Sequence, residues 1–214
     1  MKIRKIVIVA GIVAGIAACV GDFAVTFYFG RFYPGYNQLH DTMSTLGATA
    51  SPVSGILSTW WVVMGLLFML FAIAFYYSFA PRSFVNTASV FIFLYGLGEG
   101  LGSGIFKADP TGETLINSYL FHNILGGIGV VAILAFPLFI KGIMTDAETK
   151  WFSGFSYIIF SLGIIFIVLF LFRFESFGII TELKGLWQRL FVADVYIYLL
   201  IIDGLMIKKL CRKP

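Results

Sequence analysis

Six stretches of this chain are each apolar for about 20 residues, the length that carries an α-helix across the hydrocarbon core of a bilayer. They occupy approximately residues 6–28, 54–79, 88–106, 121–140, 151–172 and 186–207 of a chain of 214. The connections between them are too short to hold a second folding unit, so residues 1–214 read as a single integral membrane domain. Composition agrees: 59% of residues are hydrophobic and 12% charged, against roughly 45–50% and 25% in soluble domains. Alternation of lipid-facing and lumen-facing residues, the mark of a membrane barrel, is absent from runs such as 164–172. The expected fold is therefore all-α, a six-helix transmembrane bundle.

Basic residues set the expected orientation. With six spans, one side receives ten Lys and Arg, including Arg82 and the tail cluster Lys208, Lys209, Arg212 and Lys213, and the other receives five. The richer side faces the cytoplasm by the positive-inside rule, which places both termini there and the protein in the cell membrane. A net charge of +4 spread between apolar runs is not a nucleic-acid footprint; the expected partners are membrane lipids. The start, Met1-Lys2-Ile3-Arg4-Lys5, looks like a signal peptide, and Ile16-Ala17-Ala18-Cys19 resembles a lipoprotein cleavage box. The apolar run continues to Tyr28, however, a length that suits a retained first span.

Ionisable residues inside spans carry the functional information, because each costs at least about 2.5–3.5 kcal/mol at a span centre unless it faces a cavity or a partner. Asp22, Glu99, Asp194 and Asp203 are such residues. Asp203, near the basic tail, is expected to snorkel toward Lys208. Glu99 lies within Gly96-Leu97-Gly98-Glu99-Gly100-Leu101-Gly102-Ser103-Gly104. Small residues four apart allow close approach of another helix, so this face is a candidate for an oligomer or partner contact. Glu99 itself needs a bonding partner or a ligand.

Both histidines, His40 and His122, fall on the non-cytoplasmic side. So do Tyr36, Asp41, Ser44, Lys107, Asp109, Glu113, Arg173, Glu175, Gln188 and Arg189. The first outer loop mixes apolar and polar positions at near-helical spacing, which would put His40 and Ser44 on one face. Together these residues point to a polar pocket opening outward.

Four segments carry a family resemblance: Tyr36-x-x-x-His40-Asp41-Thr42-x-Ser44-x-Leu46-Gly47, then Gly104-Ile105-Phe106-Lys107-Ala108-Asp109-Pro110, then His122, then Gly185-Leu186-Trp187-Gln188-Arg189. In order and spacing the chain resembles the prokaryotic membrane family designated domain of unknown function 998. Lys107 departs from it, since members commonly carry proline there. The resemblance implies six spans and implies that Ser44, Asp109, His122, Gln188 and Arg189 match recurring polar positions; it brings no established reaction.

Three readings stay open. As an enzyme on a lipid or other amphiphile, the chain would use His40 or His122 as general base and Asp109 or Asp41 to orient it, with Tyr36, Ser44, Glu99, Gln188 and Arg189 binding substrate. Arg189 would hold a phosphate or carboxylate. A metal held by His40, His122 and Asp109 is conceivable, although no His-Glu-x-x-His occurs, so metal and cofactor stay undetermined. As a transporter, the chain would move a proton or small solute past Asp22, Glu99 and Asp194. As an accessory protein, it would mate through the glycine face.

Overall fold

A computed structural model describes residues 2–109, 117–146, 149–172 and 178–211. Pro110, Glu113, Arg173, Glu175, Arg212 and Lys213, singled out from sequence, lie outside them. Six helices are long and apolar enough to cross a membrane: α1 (Lys2–Gly30), α2 (Ser54–Phe79), α3 (Val85–Ile105), α4 (Ser118–Gly142), α5 (Trp151–Leu171) and α6 (Lys184–Cys211). Among the described residues there is no strand. The protein is an integral membrane six-helix bundle, and the helix limits fall within a few residues of those expected. α5 is the peripheral helix: 17% of its apolar stretch is buried, against 39–50% in the others.

Large aromatic side chains fill the interior. Phe75 packs on Phe136 at 5.6 Å between ring centroids, Phe136 on Tyr198 at 5.7 Å, and Tyr198 stacks on Phe152 at 5.0 Å. Rings bury large apolar area in fixed geometry, which ties α2, α4, α5 and α6 together. Where α3 crosses α2, glycine replaces bulk. A Cβ on Gly100 would strike the backbone of Gly65, and one on Gly98 would strike the Leu125 carbonyl of α4. The alternating glycines thus serve two helices of the same chain, one on each side. Over Gly96–Gly102 the helix widens to a π-turn, with the Ser103 N–H reaching the Gly98 carbonyl five residues back, a feature frequent at functional sites.

One end of the bundle gathers the two termini. There Arg82 pairs with Asp146 at 2.7 Å and donates to the Ile143 carbonyl at 2.6 Å, while Lys209 sits over the Phe79 ring at 4.9 Å. The opposite end carries the first long loop. The helix expected to align His40 with Ser44 does not form. Asn37 and Asp41 turn the chain instead: the Asp41 carboxylate accepts from Asn37 N–H at 2.7 Å, and the Asn37 amide oxygen accepts from Leu39 N–H at 2.9 Å. Such side-chain bonds to nearby backbone compete with helix, and only Met43–Gly47 winds, as a 3-10 turn.

Asp203 also departs from expectation. It is 1% exposed, so it does not snorkel. Its Oδ2 packs where a Cβ on Gly15 would stand. The missing side chain at Gly15 lets the carboxyl turn inward, between α1 and α6.

Candidate functional site

At the loop end a cavity of about 310 Å³ enters the bundle, within the range of roughly 300–1,000 Å³ typical of small-molecule pockets. Its floor is polar and aromatic. Asp22 of α1 is 2% exposed; it accepts from the Trp60 indole N–H at 3.1 Å and from the Tyr196 hydroxyl at 2.9 Å. Tyr95 in turn donates to the Tyr196 oxygen at 3.5 Å. With two donors aimed at its two oxygens, Asp22 is held in one orientation.

Glu99 enters the same cavity from the π-turn. It accepts no hydrogen bond from a described residue. Space for it comes from α4: a Cβ on Gly126 would lie 2.9 Å from Glu99 Oε1, and one on Gly129 would lie 3.4 Å from its Cγ. Two glycines three apart on α4 therefore form a slot for this side chain. One turn before Gly126 stands His122, whose Nδ1 donates to the Phe106 carbonyl at 3.0 Å. A carbonyl can only accept, so the proton sits on Nδ1 and Nε2 is left with its lone pair. Ser44 and Gln188 line the mouth, and Ser103 and Asn123 are further polar members of the lining.

The first loop forms that mouth, and α6 holds the loop. Gly185 and Leu186 N–H groups, unpaired by nature at a helix start, donate to the His40 carbonyl at 3.3 Å and the Leu39 carbonyl at 2.9 Å. Gln188 Oε1 accepts from Met43 N–H at 2.6 Å, which leaves its amide nitrogen for the cavity. Arg189, 6% exposed, donates to the carbonyls of Asp41 and Gly185, each at 2.9 Å, and to the Tyr36 hydroxyl. Burial pushes the Tyr36 phenol above its ordinary value, and the Arg189 charge works against that shift. A Cβ on Gly185 would collide with the Asp41 carbonyl, so only glycine lets the loop lie this close.

Of the residues singled out from sequence, Asp22, Ser44, Glu99, His122 and Gln188 therefore meet in one cavity. Tyr36 and Arg189 lie behind its wall as a brace for the loop. His40 faces away and donates through Nδ1 to the Glu182 carbonyl at 3.0 Å. Asp109 accepts from the Thr49 N–H at 3.0 Å and its hydroxyl at 3.3 Å. The set His40, Asp109 and His122 thus has three separate partners, and no three His, Cys, Asp or Glu groups cluster as metal ligands among the described residues. Lys107 donates through its ammonium to the Ser54 hydroxyl at 2.6 Å and the Ser58 hydroxyl at 2.7 Å at the start of α2. Burial lowers its pKa, with Asp109 opposing. Sequence reasoning left Trp61, Tyr95 and Tyr196 out of the site; single aromatic residues in an apolar run give no sign of the face they occupy.

The cavity's other walls are apolar. Val131 of α4 and Leu171 of α5 line it and are 66% and 61% exposed. The cavity therefore opens sideways between α4 and α5.

A family model described as "Protein of unknown function (DUF998)" matches residues 16–202, from the middle of α1 to near the end of α6. The chain belongs to this family. No curated protein and no solved structure matches it. The family span takes in every residue of the cavity and of the Arg189 brace, so the site lies wholly inside the shared domain.

Proposed function

We propose that the protein binds an amphiphile at the outer face of the cell membrane, with the polar head in the cavity and the chain leaving between α4 and α5. What carries the reading is the union, in one cavity, of an acceptor-rich inner end with an opening between the apolar helices α4 and α5. The head is cationic or rich in hydrogen-bond donors. Glu99 and Asp22 line the cavity, no Lys or Arg does among the described residues, and Arg189 is already committed to the loop. An anionic head would meet two carboxyl groups and no counter-charge. The polar contacts fall to Glu99, Ser44 and the Gln188 amide nitrogen, and the free Nε2 of His122 can accept a proton from the bound head.

The test is mass spectrometry of detergent-purified protein, comparing retained lipids and small molecules among wild type, Glu99→Gln and His122→Ala. An amphiphile with an amine or polyhydroxyl head, retained by wild type and lost from Glu99→Gln, is the expected result. Retention of an anionic lipid equally by all three, or no exchange of added amino-amphiphiles into wild type, overturns the reading.

A further inference from the structure

At the termini end, α1, α2 and α6 enclose a second cleft, of about 270 Å³, that shares no residue with the outer cavity. Ile8 and Met206, 7% and 1% exposed, give it an apolar floor; Arg4, Lys5 and Lys209, all exposed, stand around it. No Asp or Glu lines it among the described residues. The adjacent cleft shares Lys209 but carries its own counter-charge, because Asp146 there pairs with Arg82 at 2.7 Å. Three like charges around one concavity repel one another, and an anion seated among them removes that cost.

Two of the three cations are held in place. The Arg4 guanidinium donates from Nε to the Tyr77 carbonyl at 3.0 Å and from Nη2 to the same oxygen. That carbonyl lies in the last turn of α2, where helix carbonyls lack an intrahelical partner. Of the five N–H donors of a guanidinium, the Nη1 pair bonds nothing among the described residues. Lys209 lies over the Phe79 ring at 4.9 Å, a contact that restrains its ammonium. Restrained donors around a recess differ from the freely swinging charges that suffice to orient a span.

The cleft stands at headgroup depth. α1 and α6, of 29 and 28 residues, run about 43 and 42 Å at 1.5 Å per residue, against a hydrocarbon core of about 30 Å. Their charged end turns lie in that excess, since charges are costly in hydrocarbon. Tyr76, Tyr77 and Trp151 are exposed at the same end, as in the aromatic belt of a membrane interface.

We propose that this cleft binds an anionic phospholipid, with the phosphate among Arg4, Lys5 and Lys209 and the start of the acyl chains over Ile8 and Met206. Arg and Lys make charge-assisted bonds to phosphate oxygens, and basic recesses between transmembrane helices suit anionic head groups. A free phosphate would use the cations alone; the apolar floor selects a lipid. This site does not depend on the reading of the outer cavity.

The experiment titrates the delipidated full chain in detergent with dioleoylphosphatidylglycerol, dioleoylphosphatidylcholine and inorganic phosphate, reading binding from the rise in the thermal unfolding midpoint. Phosphatidylglycerol should bind and the other two should not. Lys5→Gln/Lys209→Gln removes two charges, each worth about fivefold near a phosphate, and should weaken phosphatidylglycerol binding about 30-fold. Lys141→Gln/Lys208→Gln removes as much charge from the same end but outside this cleft, and should bind as wild type does. Equal weakening in the two double variants would reduce the cleft to diffuse surface attraction and overturns the site. So do unchanged affinity in Lys5→Gln/Lys209→Gln, equal binding of phosphatidylcholine, an equal response to inorganic phosphate, or no binding by wild type. Repeated in the Lys5→Gln/Lys209→Gln background, the comparison of Glu99→Gln with its parent reports the outer cavity alone, so the two readings fail separately.

Discussion

Single residues in this bundle act through what they leave room for as much as through what they touch. Gly126 is the clearest case, since its missing side chain is the space that Glu99 occupies. Gly126→Val should push the carboxylate out of its slot and abolish amphiphile retention while circular dichroism shows unchanged helix content; retention at the wild-type level would show that Glu99 does not hold the head. Arg189 illustrates the reverse. Its three bonds tie Tyr36, Asp41 and Gly185 together, and hydrogen bonds to a charged group are worth about 1.5–3 kcal/mol each. Arg189→Met should destabilise the detergent-solubilised protein by about 3 kcal/mol, and Arg189→Lys should recover little of it, because an ammonium cannot span the same fork. Thermal unfolding checks both. Lys107 sets a pH dependence. Its folded value lies below the ordinary 10.5, so between the two values the unfolded chain binds a proton that the folded chain does not. Stability should therefore rise with pH through that alkaline interval, and Lys107→Met should remove this component of the slope in unfolding midpoints.

At the scale of elements, α3 decides the shape of the cavity. Its π-turn adds a residue to one turn and holds Glu99 in the cavity, while the glycines on either side let α2 and α4 approach. Gly100→Ala brings a methyl group into the Gly65 backbone, where neither helix has a flexible side chain to yield. Overpacking of this kind costs about 1–3 kcal/mol. The variant should unfold at a lower temperature than Gly127→Ala, whose added methyl group meets nothing within 4 Å. The first loop is the other decisive element. Its helical look in sequence comes from the spacing of Leu39, Met43 and Leu46, yet Asn37 and Asp41 bond its backbone first, and the start of α6 then takes up its carbonyls. His40 is turned outward as a consequence and cannot join His122.

For the whole molecule, the charge distribution and the two cysteines make the expected orientation testable. Cys19 is buried and Cys211, at the termini end, is exposed. A membrane-impermeant maleimide should label Cys211 in inside-out vesicles and not in intact cells, with Cys19 protected in both until the protein is denatured; labelling in intact cells would reverse the orientation and place the cavity on the inner side. What the sequence determined was the number and limits of the spans, the lipid environment and the family. Span formation depends on transfer energies summed locally along about 20 residues, and that sum is written in order along the chain. What only the tertiary structure decided was which polar groups meet. Lipid tails are as apolar as leucine, so no amphipathic stripe marks the inward face of a membrane helix. Rotation of each helix is set by fits such as Gly100 on Gly65 and Glu99 on Gly126. Those fits place Glu99, His122, Ser44 and Gln188 together, send Arg189 behind the wall, and seal Asp203 against Gly15, because packing at close range depends on residues far apart in the chain.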